Sequence, residues 1–223
     1  MHFDFGVPTK WVVCIYFMVK VKICGITNLE DAIAAAEAGA DAVGFVFYPD
    51  SPRFIEPGKA HGIISKLPVF ITSVGVFVDE SEDLIRRIIR EGGIQVLQFH
   101  GSESPMLCTR FREKAIKAIR IKDEESINSM QMYNVDTFLL DTHQEGAKGG
   151  TGKTFDWKIA EKAKANGRII LSGGLTPSTV GEAVRRVRPY GVDVSSGVEI
   201  SPGKKDHKKI REFIKEVRKA YAA

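Results

Sequence analysis

Paired cysteines are what this 223-residue chain most plainly lacks. Its three, Cys14, Cys24 and Cys108, are odd in number and share no paired spacing, which argues against a disulfide framework and a zinc site. A reducing cytoplasm is their natural setting. Long hydrophobic runs are missing too, since no stretch approaches the roughly 18 apolar residues of a membrane span. Neither sign of charge is in large excess: 32 Lys and Arg against 28 Asp and Glu leave +4. The basic residues are spread out, except for Lys204, Lys205, Lys208 and Lys209. That cluster reads as one solvated helix face, not as a nucleic-acid surface. No linker or low-complexity run breaks the chain, so a single domain is expected, and its length suits an α/β barrel.

The first 18 residues stand apart. Lys10 followed by an apolar run over 11–19 faintly resembles a signal peptide, but no small-residue cleavage site follows. The run passes instead into a strand pattern, and Met18 would itself be a sensible start. Residues 1–18 are therefore read as an extension without function, and 19–223 as the catalytic domain.

What is present is a regular alternation of Val/Ile-rich runs with helical patterns. Strands are expected at 19–23, 42–47, 72–78, 96–99, 117–121, 137–140, 169–171 and 192–194. Helices are expected at 29–38, 59–66, 82–91, from 105, and at 124–132, 157–165, 177–187 and 206–220. Asn28, Ser81, Thr176 before Pro177 and Ser201 before Pro202 look like helix starts. Eight such units favour closure into a single (β/α)8 TIM barrel with short loops over an open doubly wound sheet.

A barrel gathers its chemistry at the carboxyl ends of its strands. Cys24 would end the first strand, Arg53 lies in the second loop, His100 would end the fourth strand and Asp141 the sixth. Gly173 and Gly174 follow the seventh, and Ser195, Ser196 and Gly197 the eighth. Backbone N–H groups in such small-residue loops bind a phosphate dianion without a basic side chain. The blander reading is tight turns, but two adjacent loops of this kind favour phosphate. Asp141 reads either as a cap of its own loop or as a buried carboxylic acid able to donate a proton. Cys24 is either a small core residue or a base. Strand alternation puts Lys22 on the same face, where it could favour a thiolate unless an opposed Asp neutralises it.

Residues 146–154, Gly-Ala-Lys-Gly-Gly-Thr-Gly-Lys-Thr, nearly spell a nucleotide-binding P-loop. Ala147 stands where the first glycine must be, and the loop does not join a strand directly to a helix. A nucleoside triphosphatase is therefore disfavoured.

The opening Val-Lys-Ile-Cys-Gly-Ile-Thr-Asn (21–28) resembles the signature of the phosphoribosylanthranilate isomerase family. Further blocks in the same order extend the resemblance over most of the chain. They include Ala-Asp-Ala-Val-Gly-Phe-Val-Phe-Tyr-Pro (40–49), Gln-Phe-His-Gly (98–101), Gly-Gly-Thr-Gly-Lys-Thr-Phe-Asp-Trp (149–157), Leu-Ser-Gly-Gly-Leu (171–175) and Val-Asp-Val-Ser-Ser-Gly-Val-Glu (192–199). The near-P-loop is then the family's own sixth loop. The resemblance implies an Amadori rearrangement in tryptophan biosynthesis, with Asp141 as general acid and Cys24 as general base, and with neither metal nor other cofactor. It implies phosphate binding by Gly173, Gly174, Ser195, Ser196 and Gly197. Arg53 suits the anthranilate carboxylate or ring, while Gln98, His100 and Asp193 match motif positions near the site. A phosphosugar substrate, no nucleic-acid or membrane partner and a monomer or homodimer complete the expectation. The alternatives are another phosphosugar isomerase or epimerase barrel, disfavoured by Cys24 where the histidine-pathway enzyme uses a carboxylate, and a silent phosphosugar-binding scaffold.

Overall fold

The computed structural model describes residues 18–141 and 157–222. The expectations for residues 1–17 and for the near-P-loop lie outside these described residues. Eight parallel strands close into a barrel: β1 (Lys20–Cys24), β2 (Ala42–Val46), β3 (Thr72–Phe77), β4 (Val96–Phe99), β5 (Ala115–Arg120), β6 (Thr137–Asp141), β7 (Arg168–Ser172) and β8 (Gly191–Val194). Closure is made by β1, which pairs with β2 through Cys24 and Gly44 and with β8 through Lys22 and Asp193.

Alternation along each strand divides the core. One face packs Val21, Ile23, Phe45, Phe77, Phe99 and Phe138 against the helices, each buried side chain contributing roughly 1.5–3 kcal/mol by removal from water. The other face fills the barrel interior with Ile116, Ala118, Leu139 and Ile170. Above this apolar plug lie Lys22, Cys24, Gln98 and Asp193, all buried. The inward positions near the strand ends are mixed, these four sharing the mouth with the apolar Val46 and Val76.

The helices are α1 (Leu29–Glu37), α2 (Pro57–Ile64), α3 (Glu82–Gly92), α4 (Pro105–Thr109), α5 (Trp157–Ala163), α6 (Val180–Val187) and α7 (His207–Ala222). Two expected caps form as read: Asn28 accepts from Asp31 N–H, and Ser81 from Leu84 N–H. Others differ. Thr176 and Pro177 form a turn and α6 begins only at Val180, Val180 N–H reaching back to the Thr176 carbonyl. Ser201 and Pro202 do not start a helix. They belong to a hairpin of β9 (Glu199–Ser201) and β10 (Lys204–Lys205), turned by Gly203 at φ +80°, and Asp206 caps α7 through the N–H groups of Lys208 and Lys209. The expected helix at 124–132 is a 3-10 helix with an Asp123–Ser126 capping box.

The hairpin also breaks up the basic cluster. Lys204 and Lys205 lie on β10, and Lys205 is buried against Glu199 while Lys208 stays exposed, so the four lysines are not one solvated face. At the opposite end, Arg218 of α7 donates to the carbonyls of Val19 (2.6 Å) and Gly39 (3.1 Å) and to Asp41, tying the last helix under the first strand. Among the described residues no helix is long and apolar enough to cross a membrane.

Candidate active site

The residues singled out in the sequence gather at the carboxyl-end mouth in two networks and one pair of loops. The first network surrounds Cys24, the last residue of β1, whose side chain packs with Val46, Val76 and Tyr48. Burial in this apolar collar pushes its thiol above the ordinary range, and the Lys22 ammonium pulls in the opposite direction. Lys22 Nζ is 2.8 Å from Asp193 Oδ1 on the neighbouring strand, and Asp193 Oδ2 accepts from Ser172 on β7 at 3.2 Å. Burial alone would discharge Lys22, but Asp193 and Cys24 outweigh it and hold its pKa above the usual lysine value. The two alternatives for Lys22 therefore coexist: one ammonium serves the carboxylate and the thiol together. Asp193 is almost fully buried, with each carboxylate oxygen engaged by protein.

Room for this arrangement comes from β2. A Cβ built on Gly44 would lie 2.9 Å from Cys24 Sγ and 3.1 Å from Lys22 Nζ. Only glycine leaves space for thiol and ammonium to share that spot.

The second network surrounds Asp141, at the end of β6. His100 Nε2 is 3.0 Å from Asp141 Oδ2, and Gln98 Nε2 is 2.9 Å from His100 Nδ1. Gln98 is buried, and its Oε1 has no partner among the described residues. The loop carrying His100 is held from behind by Glu103, which accepts from Gly101 and Asp79 N–H groups and pairs with the buried Lys117 at 2.8 Å.

The loops after β7 and β8 come together as expected. Gly173 and Gly174 have φ of +82° and +67°, which L-residues adopt only with strain. Ser195, Ser196 and Gly197 follow β8, Ser196–Val198 forming one turn of 3-10 helix. A Cβ on Gly197 would sit 1.9 Å from the Leu175 carbonyl oxygen, so the two loops meet with no space for a side chain.

Arg53 crosses from the β2–α2 loop toward the same mouth. A Cβ on Gly25 would lie 2.5 Å from Arg53 Cδ and 3.0 Å from Ser195 Oγ, which places the arginine stem directly over the residue after Cys24. Its guanidinium makes a two-pronged pair with Glu199, Nε to Oε1 at 2.8 Å and Nη2 to Oε2 at 2.6 Å. Gly44, Ser172 and Glu199 stand in the sequence only as members of longer blocks, and Lys205 only as one of the basic cluster read as a solvated face. Nothing in the spacing of Glu199 and Lys205 says that a hairpin folds them back onto Arg53.

Fold and site together define a (β/α)8 barrel of the enzyme kind, with a buried thiol, a carboxyl and a small-residue cradle at one mouth. Comparison with known proteins narrows this class. The family model described as N-(5'-phosphoribosyl)anthranilate (PRA) isomerase matches residues 21–216. An N-(5'-phosphoribosyl)anthranilate isomerase of Pelobacter propionicus is 53% identical over 198 residues, covering 89% of this chain and 95% of that protein. One of Geobacter sp. strain M21 is 51% identical over 202 residues, covering 91% and 99%. Among solved structures, the phosphoribosyl anthranilate isomerase of Thermotoga maritima superposes with a TM-score of 0.85 at 46% identity, covering 91% of this chain and all of that one. Another, in complex with reduced 1-(o-carboxyphenylamino)-1-deoxyribulose 5-phosphate, gives 0.81 at 43%, with the same coverage. The chain belongs to the phosphoribosylanthranilate isomerase family.

Proposed function

We propose that the chain converts N-(5-phosphoribosyl)anthranilate to 1-(2-carboxyphenylamino)-1-deoxyribulose 5-phosphate in tryptophan biosynthesis, with Asp141 as general acid and Cys24 as general base. The observation that carries the assignment is the pair of separate networks, one ending on a thiol and the other on a carboxyl, at the same barrel mouth. Asp141 protonates the furanose ring oxygen, and the ring opens to an iminium. Cys24, as thiolate, takes the proton from C2, and the resulting enolamine tautomerises to the ketone. Electrons are only redistributed within the substrate, so the two side chains suffice for the proton traffic.

Each network suits its role. Lys22 offsets part of the burial penalty on the Cys24 thiolate, and Asp193 with Ser172 keeps the ammonium in place. Asp193 thus acts through Lys22. On the acid side, turning the Gln98 amide would let its Oε1 accept from His100 Nδ1–H, leaving His100 Nε2 to accept from a protonated Asp141. Gln98 and His100 then select the form of Asp141 that can give up a proton. Gly173, Gly174, Ser195, Ser196 and Gly197 take the substrate phosphate, and Arg53 takes the anthranilate carboxylate with the edge that Glu199 does not use.

The test is steady-state turnover of freshly prepared phosphoribosylanthranilate, followed by loss of its fluorescence. Asp141→Asn and Cys24→Ser should each lower kcat by about 10²–10⁴-fold, the usual range for losing a general acid or base. A wild-type chain without turnover sinks the activity, and a variant at wild-type rate sinks that residue's role.

A further inference from the structure

Glu199 is an acidic residue inside a site that must attract an anion. It sits on β9 with its side chain only 5% exposed, and its oxygens are fully subscribed. Oε1 accepts from Arg53 Nε (2.8 Å), Lys205 Nζ (2.8 Å) and Gly203 N–H (3.2 Å), and Oε2 from Arg53 Nη2 (2.6 Å). Burial pushes its carboxyl up, but Arg53 and Lys205 together outweigh that and hold it below the usual carboxylate range. Lys205 has no exposed side-chain surface, and its Nζ also lies 3.4 Å from both the carbonyl and the hydroxyl oxygen of Ser195. Its own backbone N–H is fixed to Asp31 at 2.8 Å. Two cations on one carboxylate leave this buried unit with one net positive charge.

A guanidinium has two edges that can face a carboxylate, one formed by Nε and Nη2 and the other by the two Nη atoms. Glu199 fills the first. We propose that Glu199, braced by Lys205, is a positioning residue for substrate specificity. It fixes the plane of Arg53 so that only the outer Nη edge is presented to the substrate's aryl carboxylate. Lys205 Nζ also rests against Ser195, which anchors this unit to the loop after β8. This proposal rests on the function proposed above. Stability alone is a poor account of the cluster, because a buried ion pair seldom outperforms an apolar replacement of the same size.

The experiment compares phosphoribosylanthranilate with its carboxylate-free counterpart, N-(5-phosphoribosyl)aniline, in the full chain and in Glu199→Gln. With the anthranilate substrate the variant should show KM raised about tenfold and kcat within about twofold, because a loosened fork weakens a charge-assisted contact made before chemistry. The aniline counterpart should be handled alike by both proteins, so that the preference for the carboxylated substrate shrinks by the same factor. Unchanged KM, or equal losses with both substrates, overturns the proposal. Should Glu199→Gln fail to fold, Arg53→Lys decides, because an ammonium held by Glu199 has no second edge. It should lose the carboxylate preference, and a retained preference overturns the proposal. A wild-type chain that turns over neither substrate overturns the functional reading instead.

Discussion

Gly44→Ala tests whether catalysis depends on the close approach of Cys24 and Lys22 without altering either. The added methyl would stand 2.9 Å from Cys24 Sγ, 3.0 Å from Lys22 Cε and 3.1 Å from Lys22 Nζ. Ordinary contact begins near 3.5–4.0 Å, so thiol and ammonium must each retreat by about 0.5–1 Å. Both are ends of side chains, and the backbone can stay where it is: the Gly44 carbonyl still accepts from the N–H groups of Gly25 and Ile26. Overpacking of this kind costs about 1–3 kcal/mol of stability, which leaves a folded barrel. Activity should suffer more, since misplacing a reacting group by about 1 Å can cost on the order of 10²-fold. The assays are urea unfolding for stability and phosphoribosylanthranilate turnover for kcat and KM. The loss should fall on kcat, because the atoms nearest the added methyl belong to Cys24 and Lys22 and not to the loops after β7 and β8. A folded variant with kcat/KM within about threefold of wild type would refute the reasoning, because the thiol's position would then not limit the reaction.

Three further outcomes follow from the same network and from the loops. Burial raises the Cys24 thiol, so the thiolate a base requires becomes more abundant as pH rises. In wild type kcat/KM should therefore still be climbing through the alkaline range. Lys22→Gln removes the opposing cation and should carry that limb further upward; a limb that stays put or moves down contradicts Lys22 as the thiolate's support. Gly197→Ala would drive a methyl into the Leu175 carbonyl and push the loops after β7 and β8 apart. Its expected signature is weakened competitive inhibition by inorganic phosphate together with raised KM, and unaltered phosphate inhibition would count against this cradle.

Much of this molecule was legible before any coordinate. Each strand of the barrel lies within a residue or two of an expected apolar run, because a parallel strand buried on both faces needs such a run. Departures came where a local signal was outvoted. Ser201-Pro202 reads as a helix start, yet Gly203 and the pairing of β9 with β10 turn it into a hairpin. Lys205 counts as surface charge in any composition, but that hairpin carries it under the mouth to Glu199. The 124–132 segment has the pattern of a helix, and its capping box starts one, but it winds as a 3-10 helix.

The sequence by itself determined which chemistry was available: one thiol and one carboxyl at strand ends, and glycine- and serine-rich turns after the last two strands. These are local properties, set by alternation along a strand and by the backbone freedom of small residues. Only the tertiary structure decided who stands beside whom. Lys22 and Asp193 are 171 positions apart and meet because β1 closes the barrel against β8. Arg53 and Glu199, separated by 146 positions, meet because a hairpin folds back over the second loop. Such pairings carry no periodic trace in the chain, since they arise from the closure of the whole sheet and not from any neighbourhood within it.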